Sequence, residues 1–275
     1  MHFNFDFNAV QILWALTFAA LLVLLVVLLG KDRARRFPVF TFAVALVAFR
    51  LLASRILFGR MAMVPANITF LILALVAGLT NLAVVVELAR KSFAGATRKA
   101  WLVSTLVLLA VGGTVVGLWG PWPALQTLRG EGLISFFRTV QLVAQRSDML
   151  ADVLAIELGV LVLIAGRKFS AGWKSHSFRL TVGFALSALA QLAVRGIWQA
   201  IATHAVPHSQ EEYEHILGLQ EKLYNGNSVV YLLVLVWWIY SMWQDEQGAA
   251  VAVSEVPAAG IAELPASSEE PAENK

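Results

Sequence analysis

The sequence predicts an all-helical, polytopic membrane bundle with seven transmembrane helices. Three observations carry this. Of 275 residues, 59% are hydrophobic and only 14% charged, where soluble domains are about 45–50% apolar. The apolar residues gather into seven runs, each near the roughly 20 residues needed to cross a bilayer core. The basic residues fall in short clusters between those runs.

The runs follow in order. Span one covers 8–30 and ends at Gly30 and the cluster Lys31, Arg33, Arg35 and Arg36. Span two covers 38–59, opening on Pro38, a residue suited to the first helical position. Span three covers 65–89 and is followed by Arg90 and Lys91. Span four covers 100–120 and closes on Gly120, Pro121, Trp122 and Pro123. Span five covers 148–166, span six 180–202 and span seven 227–243. Gly112, Gly113 and Gly117 in span four include a G-x-x-x-G, which predicts close helix contact inside the bundle.

Loop charge sets the expected orientation. Loops 31–37, 90–99 and 166–179 hold most of the Lys and Arg, which predicts a cytoplasmic location for them. The N-terminus is then outside and the C-terminus inside. Trp119, Trp122 and Trp198 fall at the outer boundary, and Trp101, Trp173 and Trp243 at the inner one, as in an aromatic belt. The opening segment lacks Lys, Arg and an A-x-A site, so no cleavable signal peptide is expected.

Two outer connections have helical signals. The apolar spacing of 132–147 fits a helix in the interface, or one that extends span five outward. In 209–226, Ser209 and Glu212 form a capping box and Gly226 suits the far end, which predicts a short amphipathic surface helix. Two parts therefore divide the chain: a transmembrane domain over 1–243 and a tail over 244–275. The tail is rich in Ala, Glu, Pro and Ser and is expected to be disordered in the cytoplasm.

Spans two and six share a pattern. Ala45, Leu46, Ala48, Leu52, Ala53 and Arg55 match Ala185, Leu186, Ala188, Leu192, Ala193 and Arg195 in identity and spacing. Both spans follow one that ends in Gly and a basic residue, and spans three and seven each open with an Asn, Asn67 and Asn227. A 3+1+3 arrangement of parallel repeats fits this pattern.

Charged residues inside the spans are the strongest chemical signal. In span six, Ser187, Gln191, Arg195 and Gln199 recur every fourth residue. That spacing advances about 40° per step and makes one drifting stripe. An arginine within a span costs roughly 2.5–3.5 kcal/mol on insertion scales, so it pairs, faces a cavity or snorkels. At about 1.5 Å rise per residue, Arg50 and Glu157 share a level near mid-membrane. Arg55, Arg195 and Asp152 share one nearer the outer face. Glu157 is therefore expected to pair with Arg50, and Asp152 to lie near Arg55 or Arg195. The candidate polar cavity or buried ion network is Arg50, Arg55, Asp152, Glu157, Gln191, Arg195 and Gln199. A purely structural network of ion pairs with snorkelling arginines is the competing account.

Several chemistries are disfavoured. Cys is absent, which removes disulfides, thiolate metal sites and cysteine nucleophiles. No span has an internal Lys for a retinal Schiff base. The five histidines lie in loops or at span ends, away from positions where haem or a buried zinc would need them. His208, Glu211, Glu212 and His215 cluster in sequence, but the cap at Ser209 puts His208 off the helix face. No cofactor, metal or nucleic acid is expected. The net charge of +3 is spread over short inter-span clusters, unlike a nucleic-acid footprint.

Val86, Glu87, Leu88, Ala89 and Arg90, closing span three, and the apolar stretch after Phe136, Phe137 and Arg138 carry a resemblance. With these features the layout resembles uncharacterised bacterial seven-helix integral membrane proteins with a short cytoplasmic tail. The resemblance implies a bacterial inner-membrane location and supplies no catalytic residues.

The first expectation for function is a non-enzymatic sensing or membrane-accessory protein, surrounded by membrane lipids and acting through a signalling or transport partner. The alternative is a small carrier for a polar or anionic solute. A membrane-embedded enzyme comes third, since no nucleophile–base pair is visible. Homo-oligomerisation is compatible with either of the first two.

Overall fold

A computed structural model describes residues 8–57, 60–94, 97–119, 122, 133–165, 175–204 and 209–245. The chain divides into a unit Met1–Gln244 and a second unit Asp245–Lys275. Beyond Asp245, the predicted tail lies outside the described residues.

Every described element is a helix. They are α1 (Ala9–Gly30), α2 (Arg33–Arg36), α3 (Pro38–Leu57), α4 (Met63–Ser92), α5 (Arg98–Leu118), α6 (Leu133–Ala165), α7 (His176–His204) and α8 (Gln210–Trp243). Six of them, α1, α3, α4, α5, α7 and α8, are long and apolar enough to cross a membrane. Apolar side chains point away from the protein on the outside of the bundle: Leu118 is 82% and Ile164 78% exposed. These are features of a multi-pass membrane protein. The helix α6 does not meet the same measure, because its apolar segment carries Asp148, Asp152 and Glu157.

Local chemistry explains the helix ends. Pro38 opens α3, and the carboxylate of Glu87 in α4 caps it from across the helix contact. Phe40 N–H donates to Glu87 Oε2 at 2.9 Å, and Val39 N–H to Oε1 at 3.4 Å. An acceptor with negative charge there satisfies orphan N–H groups and opposes the helix dipole. At the start of α8, Ser209 Oγ accepts from Glu212 N–H at 3.2 Å, so the predicted N-cap is present.

One boundary differs from the sequence reading. The helix from Ser209 does not stop at Gly226 but runs on as one helix to Trp243. A mid-helix glycine costs about 1 kcal/mol, and no proline follows to break the chain of hydrogen bonds. Of the two readings of the segment after 132, the one that extends span five outward holds: both lie in the single helix α6, which has one glycine and no proline.

Six helices form a ring. Each of α1, α3, α4, α6, α7 and α8 packs on the next in that order, and α8 closes on α1. In addition, α4 reaches α7. The remaining long helix, α5, lies outside the ring against α6. Gly112 meets Leu150 and Leu154 of α6 there, whereas added Cβ atoms at Gly113 and Gly117 would meet open space. The G-x-x-x-G pair therefore does not make the contact inside the bundle that its spacing predicts. One residue of rotation, about 100° on a helix, separates Gly112 in the contact from Gly113 outside it.

Packing differs between the two ends of the ring. The end holding the C-terminus of α1 and the start of α3, called the C side, is dense: Leu24, Leu28, Phe37, Leu88, Leu180, Leu235 and Met242 are fully buried. Glycines tighten its approach. A Cβ on Gly159 of α6 would lie 2.5 Å from Ala185 Cβ of α7, and one on Gly183 of α7 would overlap Trp238 of α8. The opposite end, the N side, is hollow.

Candidate functional site

The hollow is an open cavity of about 710 Å³, lined by residues from all six ring helices. It runs from Val10 and Tyr224 on the N side to Phe40 and Trp238 toward the C side. Its floor is aromatic. Trp238 stands edge-on to Phe40 with ring centroids 5.0 Å apart and stacks on Phe184 at 6.4 Å. Below this floor lies the dense apolar core.

One wall holds a polar cluster between α4, α6 and α7. Arg195 donates to Asp148 Oδ2 and, at 3.2 Å, to Gln191 Oε1. Asn81 Nδ2 donates to Asp148 Oδ1 at 3.1 Å. Arg195 Nη1 lies 3.4 Å from Asp152 Oδ2, an ion-pair distance without hydrogen-bond alignment. Close helix contact assembles this group: a Cβ on Gly78 of α4 would lie 3.3 Å from Ser147 Cβ of α6, so the flanking Asn81 and Asp148 meet.

The facing wall comes from α1, α3 and α8. Arg50 and Ser54 of α3 line it, with Asn227, Ser228 and Tyr231 of α8. Arg50 has no hydrogen-bond or ion-pair partner among the described residues. Arg55, one turn further, lies over the Trp14 ring at 5.0 Å.

The seven residues singled out from the sequence thus separate. Arg50, Asp152, Gln191 and Arg195 line the cavity, and Arg55 reaches its edge through Trp14. Asp152 lies beside Arg195 as the shared depth predicts. The predicted Glu157–Arg50 pair is not formed: both Glu157 oxygens are buried without a partner among the described residues. Equal depth did not mean adjacency, because α4 stands between α3 and α6 in the ring. Gln199 is not among the lining residues. Three steps of about 40° carry it some 120° around the helix from Ser187.

Sequence reasoning missed the α8 wall. Tyr224, Asn227, Ser228 and Tyr231 recur at helical spacing on one face. Ending the surface helix at Gly226 cut that pattern in two. Asp148, the first residue of the predicted span five, is the direct partner of Arg195. No group of three or more metal-ligating side chains comes together among the described residues. His208 lies outside them.

The chemistry available is binding. The cavity has guanidinium, carboxylate, amide and hydroxyl groups on opposed walls with apolar and aromatic surface between them. Its volume falls within the roughly 300–1,000 Å³ of small-molecule sites. Comparisons of the chain with protein-family models, with curated proteins and with solved structures return no match.

Proposed function

We propose that this protein is a seven-span carrier for a small polar solute, which binds in the cavity enclosed by the six-helix ring. The observation that carries the reading is the cavity itself, polar on opposed walls and lined by every helix of the ring. A structural ion network has no need of such a space.

The ring order also supports a 3+1+3 repeat. Rotating the ring by half a turn exchanges α1 with α6, α3 with α7 and α4 with α8 and keeps the order around the ring, the additional α4–α7 contact apart. The helix α5, outside the ring, is then the linker. In α3, Val44, Val47, Leu51 and Ser54 line the cavity. At the offset that aligns Ala45 with Ala185, so do Phe184, Ser187, Gln191 and Val194 of α7. Two similar halves around a central site are a recurrent carrier design, in which one half rocks against the other. In this reading α6 is the seventh span and its carboxylates face the protein interior, where membrane charges belong. The loop charges support an orientation with the N side outside, and in this reading the cavity opens outward at a bacterial inner membrane.

A sensing role through a partner protein is the second reading. It is favoured by the aromatic floor and the dense C side, which leave no path onward from the cavity among the described residues. Reconstitution into proteoliposomes separates the two. Counterflow of a bound labelled solute is expected for the carrier. Saturable binding with no flux at any solute concentration would overturn the carrier in favour of the sensor.

A further inference from the structure

The two walls of the cavity carry opposite formal charge. On the α6–α7 wall, Asp148 and Asp152 share the single guanidinium of Arg195, which leaves one negative charge in excess when both carboxyls are ionised. On the opposite wall Arg50 is a positive charge without a counter-ion among the described residues. Asn81 and Gln191 spend polar groups on Asp148 and Arg195 rather than on charge balance. Arg55, the remaining cation near this level, is engaged with Trp14 and is not a lining residue.

From this we infer that the solute is a zwitterion, a small molecule with one anionic and one cationic group. The inference rests on the reading of the cavity as a solute site. The anionic group meets Arg50, with Ser54 beside it on the same helix face, and the cationic group meets the Asp148–Asp152 pair. A simple anion would neutralise Arg50 and leave the carboxylate excess facing it across a cavity with apolar surfaces. A simple cation would do the reverse. A zwitterion gives each wall a counter-charge without changing the net charge of the site. The same chemistry exists in free amino-acid-like solutes and in zwitterionic lipid headgroups.

The test uses the full chain in nanodiscs and measures binding by calorimetry. The probes share carbon skeletons and differ in charge: 4-aminobutyrate, butyrate and butylamine, with alanine as a shorter zwitterion. Glycerophosphocholine stands for the headgroup source. At least one zwitterion is expected to bind about tenfold or more tightly than butyrate and butylamine, since one charge-assisted contact is lost with each singly charged probe. If only glycerophosphocholine binds, the zwitterion is a headgroup; if only the amino acids bind, it is a free solute. Arg50→Gln is expected to lower zwitterion affinity about tenfold or more, and Arg50→Lys to recover part of it. Arg50 has no hydrogen-bond or ion-pair partner among the described residues, so its replacement is expected to leave folding intact. Butyrate binding as tightly as every zwitterion, and equally sensitive to Arg50→Gln, would overturn the zwitterion and keep the solute site. Binding of none of the charge classes would overturn both.

Discussion

Asp152 and Arg195 meet across the α6–α7 contact at 3.4 Å, and Asp148 joins the same guanidinium. One cation thus holds two carboxylates at the wall of a cavity. Removing it should cost more than removing either acid. Arg195→Gln leaves two like charges together without a counter-ion. Taking one partner from a fully buried pair costs about 3–5 kcal/mol. Arg195 is 34% exposed to the cavity, so the low end of that range or less is expected. Thermal unfolding in detergent measures it, and Asp152→Asn in the same chain should recover part of the loss. No recovery would show that the acids are held by other means.

Glu157 gives the opposite expectation. Both its carboxyl oxygens are buried without a partner among the described residues. Replacing an unsatisfied buried polar group by an apolar one of similar size is neutral or stabilising, by about 1–3 kcal/mol. Glu157→Leu should therefore keep or raise the melting temperature. A clear fall would reveal a partner that forms only in the membrane.

The cavity floor depends on a glycine. A Cβ at Gly183 would overlap the Trp238 indole, which is 2% exposed and unable to move freely. Overpacking of this kind costs about 1–3 kcal/mol. Gly183→Ala should lower stability by that amount, and adding Trp238→Leu should relieve it. If the two changes are instead additive in melting experiments, the α7–α8 contact is looser than described.

The cap of α3 is supplied by another helix, so its loss is a tertiary effect. Glu87→Ala removes the acceptor for Phe40 and Val39 N–H and should cost about 1–2 kcal/mol. Glu87→Gln keeps one acceptor oxygen and should cost less. Equal losses, read from the same melting curves, would mean that the carboxylate charge rather than the hydrogen bonds does the capping.

The sequence by itself determined the helical class, the apolar runs and the place of each charged residue along its helix. These follow from run length and from a fixed rise along the helix axis, both local quantities. It also determined the Ser209 cap, since a capping box needs only its own residues. What only the tertiary structure decided is azimuth and adjacency. Arg50 and Glu157 share a depth, yet α4 stands between their helices; Arg55 turns to Trp14 while Arg195 turns to Asp148 and Asp152. Gly112 packs and Gly113 does not for the same reason. A one-dimensional pattern fixes where a side chain lies along its helix. Which neighbour it meets depends on the order of helices around the ring, and that order is set by the summed packing of all their faces.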